Sequence, residues 1–228
     1  MTIHRNWQLQ LTEEHILRAE GADPALIQQR KPALYAAACQ ALKLGMPLVL
    51  PVLASRSYQV ISIQHQDILL EGDISLRSPL LTNHFKNAHT LVFCVCTIGA
   101  ELERSARQCS ATDPVLSMAL DALGSAAVEL LTMEVCRSFE NQVPSTFVSQ
   151  PIGPGLEGWS VMDGQPRIFE LVDAENAGVA LTESMLMQPV KSASFVLGMS
   201  SSPFQAGSTC EYCNLRETCR YKGNHAQG

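Results

Sequence analysis

No stretch of this sequence reaches the roughly 18 consecutive apolar residues that a membrane-spanning helix requires, so no membrane partner is expected. Met1 to Gln10 lacks the apolar run of a secretory signal, which leaves the cytoplasm as the expected location. Positive charge is scarce: 16 Lys and Arg stand against 22 Asp and Glu, for a formal net charge of -6. No block of Lys or Arg gathers what there is. A nucleic-acid backbone finds no electrostatic footprint here, and no nucleic-acid partner is expected. The chain also lacks G-x-G-x-x-G, G-K-S/T, an internal repeat and any low-complexity tract, which removes the common nucleotide-binding loops and the solenoid folds. What is present is a chain of 228 residues, 46% hydrophobic and 17% charged, a globular composition long enough to build one sizeable core.

Capping and turn chemistry divides the chain. Thr12 caps a short helix that stops near Gly21, and Asp23-Pro24 opens another. Pro32 breaks or restarts that helix, Tyr35 to Leu44 continues it, and Gly45 ends it. After Pro47 the texture changes. Leu48 to Leu50, Tyr58 to Ile63 and Ile68 to Leu70 read as three strands separated by Ser/Arg and His/Gln/Asp turns. Leu91 to Thr97 is apolar throughout and reads as a central strand. Gly99 to Cys109 reads as helix, and Asp113-Pro114 opens the longest helix, running to about Phe139. Asn141 to Gly164 is irregular, Pro166 to Ala177 helical, and Val179 to Thr182 and Ser194 to Met199 strand-like. The irregular alternation predicts an α+β fold with a mixed or mainly antiparallel sheet packed with helices. The expected organisation is an N-terminal helical segment over 1–44, a core over 45–200, and a linker with a cysteine-rich tail over 201–228.

Eight cysteines are distributed unevenly. Cys39, Cys94, Cys96, Cys109 and Cys136 lie in apolar stretches. Cys210, Cys213 and Cys219 form a C-x2-C-x5-C set in a polar tail, a pattern that binds metal more readily than it forms disulfides inside a cell. Thiolates are soft ligands that select zinc or an iron–sulfur cluster. Zinc wants four protein ligands, with His225 as the candidate fourth. A 4Fe–4S cluster takes one thiolate per iron and can leave one iron open. The compact spacing favours the cluster, with zinc as the alternative. Arg216, Arg220 and Lys222 favour thiolates and a negatively charged cluster. Cys94 and Cys96 share one strand face and read as core residues rather than remote ligands.

On the long helix, Asp121, Ser125 and Glu129 recur at i, i+4 and i+8 with Gly124, Ala126 and Ala127 among them. That face is either a solvated stripe or a pocket where a carboxylate meets a cation. Gly153-Pro154-Gly155-Leu156-Glu157-Gly158-Trp159 is a loop whose glycines permit close backbone approach. Leu181-Thr182-Glu183-Ser184-Met185-Leu186-Met187 then follows a strand, and Lys191 precedes Ser192 and Ser194.

Together and in this order, four segments resemble the activation domain of cobalamin-dependent methionine synthase, and more closely its small stand-alone relatives. They are Thr97-Ile98-Gly99 with Leu102-Glu103, Asp121 to Glu129, Gly153-Pro154-Gly155, and Leu181 to Ser194. The resemblance covers roughly residues 45 to 200. It implies a domain that binds S-adenosylmethionine and faces the cobalamin of a partner, restoring methylcobalamin with an external electron after Co(I) has been oxidised to Co(II). By the same resemblance, Glu129 meets the substrate's amino group, Gly153, Pro154 and Gly155 cradle the substrate, and Glu183 and Ser184 lie near the corrinoid face.

The chain departs from the family at two positions. Pro151 stands where the loop carries an arginine that pairs with the substrate carboxylate, and Leu156 where an aromatic is favoured; Arg167 is the candidate replacement cation. The cobalamin-binding module is absent from this sequence, so a corrinoid would arrive on a partner. The expected function is reactivation of a corrinoid methyltransferase system, with the tail cluster supplying an electron. The expected partners are a corrinoid-carrying protein or methyltransferase and an electron donor protein. The rival is a non-enzymatic interaction module with a structural zinc tail, which the missing arginine favours.

Overall fold

The computed structural model describes residues 1–142, 145–204 and 217–218. Its centre is an antiparallel sheet. Strand β1 (Thr2–His4) precedes three helices, α1 (Glu13–Ala19), α2 (Pro24–Arg30) and α3 (Pro32–Gly45), and the long strand β2 (Val52–Gln64). Then come β3 (Asp67–Leu70), β4 (Ile74–Arg77), helix α4 (Pro79–His84), strand β5 (Thr90–Thr97), and helices α5 (Glu101–Cys109) and α6 (Pro114–Gln142). Strand β6 (Phe147–Val148), helix α7 (Val161–Leu171), the small hairpin β7 (Ala180–Leu181) and β8 (Met187–Gln188), and strand β9 (Ser192–Ser200) complete the order. The sheet runs β4-β3-β2-β5-β9-β6, with β1 on the outer edge of β2. Every strand pair is antiparallel.

Helices cover both faces of this sheet, which explains the unbroken apolar run of β5. Val92, Cys94 and Cys96 face a core shared with α1, α3, α5 and α6. Leu91, Phe93 and Val95 face a second core with α4 and α7. Alternate side chains of a strand point to opposite faces, so a central strand with both faces covered has no solvent-facing position. All eight β5 residues are buried. Helix α6 meets the length and composition of a membrane span, but 50% of its most apolar window is buried inside the protein, as in a core helix.

The caps read from the sequence are where they were expected. The Asp23 carboxylate accepts from Ala25 N at 2.9 Å, and that of Asp113 from Leu116 N at 3.0 Å. The strand boundaries differ. Leu48 to Leu50 is not a strand: Met46–Leu48 is a 3-10 turn, because Pro47 removes a donor and fixes its own φ. Ser55 to Ser57, expected as a turn, runs straight through the middle of β2, paired with Cys94, Phe93 and Val92. Its polar residues Arg56 and Ser57 fall between the stretch of β2 that β1 covers and the stretch that β3 covers, so they stay exposed. Strand β4 and helix α4 add to the elements expected from the sequence; Ser78-Pro79 opens α4, with Ser78 Oγ accepting from Leu81 N at 3.2 Å. Pro166 sits inside α7 rather than at its start, since Ser160 caps the helix six residues earlier.

Candidate functional site

Three of the four matched segments meet at one end of the sheet, and Lys191 joins them. Its carbonyl accepts from Ile98 N and from Thr97 Oγ1, both at 3.2 Å. Its neighbour Val190 donates its N–H to Glu103 Oε2 at 3.2 Å. The lysine side chain then crosses to α6, where Nζ lies 2.8 Å from Asp121 Oδ1 and donates to Ser125 Oγ at 2.9 Å. Gly124 makes the passage: a Cβ there would come within 3.0 to 3.2 Å of the lysine Cγ, Cδ and Cε. The lysine side chain is only 12% exposed while Asp121 is 62% exposed. A pair screened on one side is worth about 0 to 1 kcal/mol, so the lysine's main contribution is placement rather than stability.

The Asp121–Ser125 face is therefore neither a bare solvated stripe nor an open pocket. The chain's own ammonium occupies it. Lys191 is the residue whose role sequence reading missed; the signal was Gly124 lodged between two polar positions of one helix face. Glu129 follows one turn beyond Ser125, half-buried.

The fourth segment approaches from the other side of β9. Ile152 exchanges both backbone bonds with Val196, at 3.0 and 2.9 Å, and a Cβ on Gly153 would lie 3.0 Å from Ser194 O. Gly155 N donates to Trp159 O at 2.8 Å, closing a tight loop in which Gly155 and Gly158 adopt φ of +99 and +88, a region open mainly to glycine. Pro154 and Trp159 press on Gly164 of α7. On the next helix position, the buried Gln165 Oε1 accepts from Ser194 Oγ at 2.7 Å.

Glu183 and Ser184 are exposed on the turn between β7 and β8, where Ser184 Oγ lies 3.0 Å from Thr182 Oγ1. Arg167 does not serve the glycine loop. It pairs with Glu170 and donates to Ser75 O at 3.2 Å, on the β4 side of α7. A cleft of about 560 Å³ also lies elsewhere, beside Arg56, Tyr58, Glu71 and Glu170. Exposed apolar side chains accompany the Lys191 junction: Leu50 against Gly99, Met118 one turn before Asp121, and Leu186 and Val190 ahead of Lys191.

The fold is that of the MetH reactivation domain. A crystal structure of that domain bound to AdoHcy matches with a TM-score of 0.59, covering 87% of this chain and 78% of that one at 16% sequence identity. No protein-family model and no curated protein matches the chain. The α+β architecture expected from the irregular alternation of helix and strand signals is thus the observed one.

Cys210, Cys213 and Cys219 lie outside the described residues. Among the described residues no group of three His, Cys, Asp or Glu side chains is placed to hold a metal. Cys94 and Cys96 are fully buried core residues, as read. Burial pushes the thiols of Cys96 and Cys136 up to about 12 and that of Cys94 well above its usual range. At pH 8 a thiol at about 12 is ionised in roughly one molecule in ten thousand, and the thiolate is the reactive form. Iodoacetamide applied to the native protein at pH 8 is expected to leave these three unmodified and to label exposed Cys39. Peptide mass spectrometry checks this, and labelling of Cys94 at the rate of Cys39 would contradict the packed core.

Proposed function

We propose that this chain is an accessory protein of a corrinoid methyltransferase system, holding S-adenosylmethionine near a corrinoid that a partner protein carries and helping to restore the methylated cofactor. The observation that carries this reading is the shared fold with a reactivation domain bound to AdoHcy, the demethylated form of that donor. The convergence of the Thr97, Asp121 and Lys191 segments at one end of the sheet, with the Gly153 loop on the opposite edge of β9, supports it. Exposed Leu50, Met118, Leu186 and Val190 offer an apolar area for a partner.

The chemistry defines what the site must do. A sulfonium methyl transfers without its bonding electrons, so the acceptor cobalt must bring an electron pair, as Co(I). Co(II) is one electron short, and each rescue therefore consumes one external electron. In this reading Glu129 takes the ligand's ammonium, the Gly153-Pro154-Gly155 backbone lies against the ligand, and Glu183 and Ser184 face the partner. The donor set of the tail, three thiolates beside Arg216, Arg220 and Lys222, fits a 4Fe–4S cluster chemically. Such a cluster, when bound, would supply one-electron transfer. An electron donor protein would recharge it.

One observation favours the second reading, a non-enzymatic interaction module with zinc in the tail. Pro151 offers no cation to a ligand carboxylate, and Arg167 is engaged elsewhere. Titration calorimetry separates the two. The chain is expected to bind S-adenosylmethionine and AdoHcy below millimolar concentration, and Glu129→Gln to weaken both at least tenfold, about 1.4 kcal/mol. Absence of heat at millimolar ligand would leave the interaction module.

A further inference from the structure

We propose that Gln165 is the residue that reads the nucleoside of the bound ligand, through the half of its side-chain amide that the fold leaves unpaired. This rests on the reading of the glycine loop as a ligand site. Gln165 is 7% exposed and Ser194 8%, a buried polar pair beside the apolar second core. The Ser194 hydroxyl donates to Gln165 Oε1 at 2.7 Å, which fixes the direction of the amide. The other end, Nε2, carries two N–H groups and has no hydrogen-bond partner among the described residues. No fully buried side-chain nitrogen or oxygen among them lacks a partner, so Nε2 reaches the surface although the rest of its side chain does not. For packing alone, a methionine of similar volume would serve at this position. The amide costs free energy to bury, and only one of its two ends is compensated. Such a half-satisfied group in a native core points to a partner that the chain itself does not contain.

The position of the amide says which partner. The backbone just before it lies against the glycine loop, where a Cβ on Gly164 would be 2.7 Å from Pro154 Cγ. Ser194, which holds the amide, has its carbonyl 3.0 Å from a Cβ built on Gly153. Glu129 and Gln165 belong to elements on opposite faces of the sheet, α6 on the first core and α7 on the second. A ligand whose ammonium meets Glu129 and whose middle crosses the Gly153 loop beside β9 brings its far end to Gln165. In S-adenosylmethionine and AdoHcy that end is the nucleoside. Its ring nitrogens and ribose oxygens are uncharged acceptors, which a neutral amide N–H pairs with at no cost of burying a charge.

Two measurements on the full-length chain test this. The first is titration calorimetry of the double variant Gln165→Met, Ser194→Ala, with its melting temperature. Replacing both partners of a buried hydrogen bond by apolar groups is nearly neutral, so the melting temperature is expected to be unchanged. Affinity for AdoHcy is expected to fall at least about tenfold, the loss of one hydrogen bond with its acceptor left unpaired. Methylthioadenosine, which lacks the amino-acid end, is expected to weaken by the same factor, whereas Glu129→Gln is expected to leave its binding unchanged. The second measurement follows the side-chain amide signal of Gln165 by nitrogen-15 NMR in the unsubstituted chain, assigned by its loss in Gln165→Met. It is expected to shift on addition of AdoHcy or methylthioadenosine, and to stay in place with methionine. If the unsubstituted chain binds AdoHcy while the Gln165 signal stays in place, or the double variant keeps full affinity, the role of Gln165 is overturned and the ligand site stands. Weakening of AdoHcy without weakening of methylthioadenosine would overturn the assignment to the nucleoside. No binding of either ligand by the unsubstituted chain at millimolar concentration would overturn the ligand site, and the role of Gln165 with it.

Discussion

Gly164→Val is expected to lower the melting temperature by about 2 to 12 °C and to weaken S-adenosylmethionine binding at least tenfold. Gly164 is buried on α7. A Cβ at this position would lie 2.7 and 2.8 Å from Pro154 Cγ and Cβ, and 2.8 Å from Trp159 Cε2. Neither neighbour can yield by rotation: the proline ring is locked to its backbone, and Trp159 is packed into the second core. Forcing methyl groups into such a contact costs about 1 to 3 kcal/mol, and in a chain of this size each kcal/mol moves the melting temperature about 2 to 4 °C. The helix is held along its length, so the loop is the part that moves, and it carries Gly153, Pro154 and Gly155. Calorimetric melting and ligand titration measure the two effects. Gly178→Ala is the comparison: nothing lies within 4 Å of its Cβ, and its φ of +78 adds only local backbone strain. A Gly164→Val protein that melts lower yet binds ligand with undiminished affinity would remove the glycine loop from the ligand site.

The second large effect concerns the tail. Chain purified without oxygen is expected to carry iron and acid-labile sulfide in nearly equal amounts, and the Cys210→Ser, Cys213→Ser, Cys219→Ser triple variant to carry neither. The melting temperature of that variant is expected to stay within about 4 °C of the parent, a change of about 1 kcal/mol at most. The reason is the location of the core: among the described residues its two apolar clusters are assembled from the sheet and the helices on both of its faces. Elemental analysis, sulfide assay and the visible spectrum report the metal, and thermal melting reports the core. One zinc per chain with no sulfide would turn the tail into a structural staple and favour the interaction module. Full loss of the core's cooperative melting in the triple variant would contradict the division between core and tail.

These two experiments probe features of different legibility. The glycine loop stands out in the sequence, yet its partners do not. Pro154 meets Gly164 across only ten residues, but Gly153 meets Ser194 and Gln165 meets Ser194 across some thirty to forty. Lys191 is the sharper case. Nothing near it in the chain announces an ion pair, and its partners Asp121 and Ser125 are seventy and sixty-six positions away. Only the alignment of β9 beside β5 carries the lysine over Gly124.

Where structure is decided within a few residues, the sequence alone was sufficient. Asp23-Pro24 and Asp113-Pro114 open helices because the capping carboxylate reaches N–H groups two or three residues ahead. The unbroken apolar run from Leu91 to Thr97 requires cover on both faces, and β5 is indeed the covered centre. The irregular alternation of helix and strand signals also pointed to the α+β fold. Tertiary structure decided what depends on distant partners. Ser55 to Ser57 became the middle of a strand because eight consecutive residues of β2 pair with β5, and that ladder outweighs local turn preference. Asp121 and Ser125 became a seat for Lys191 because helix and sheet pack against each other there. Local caps are written in neighbouring residues, whereas the identity of a cross-strand or cross-helix neighbour exists only after the chain has folded.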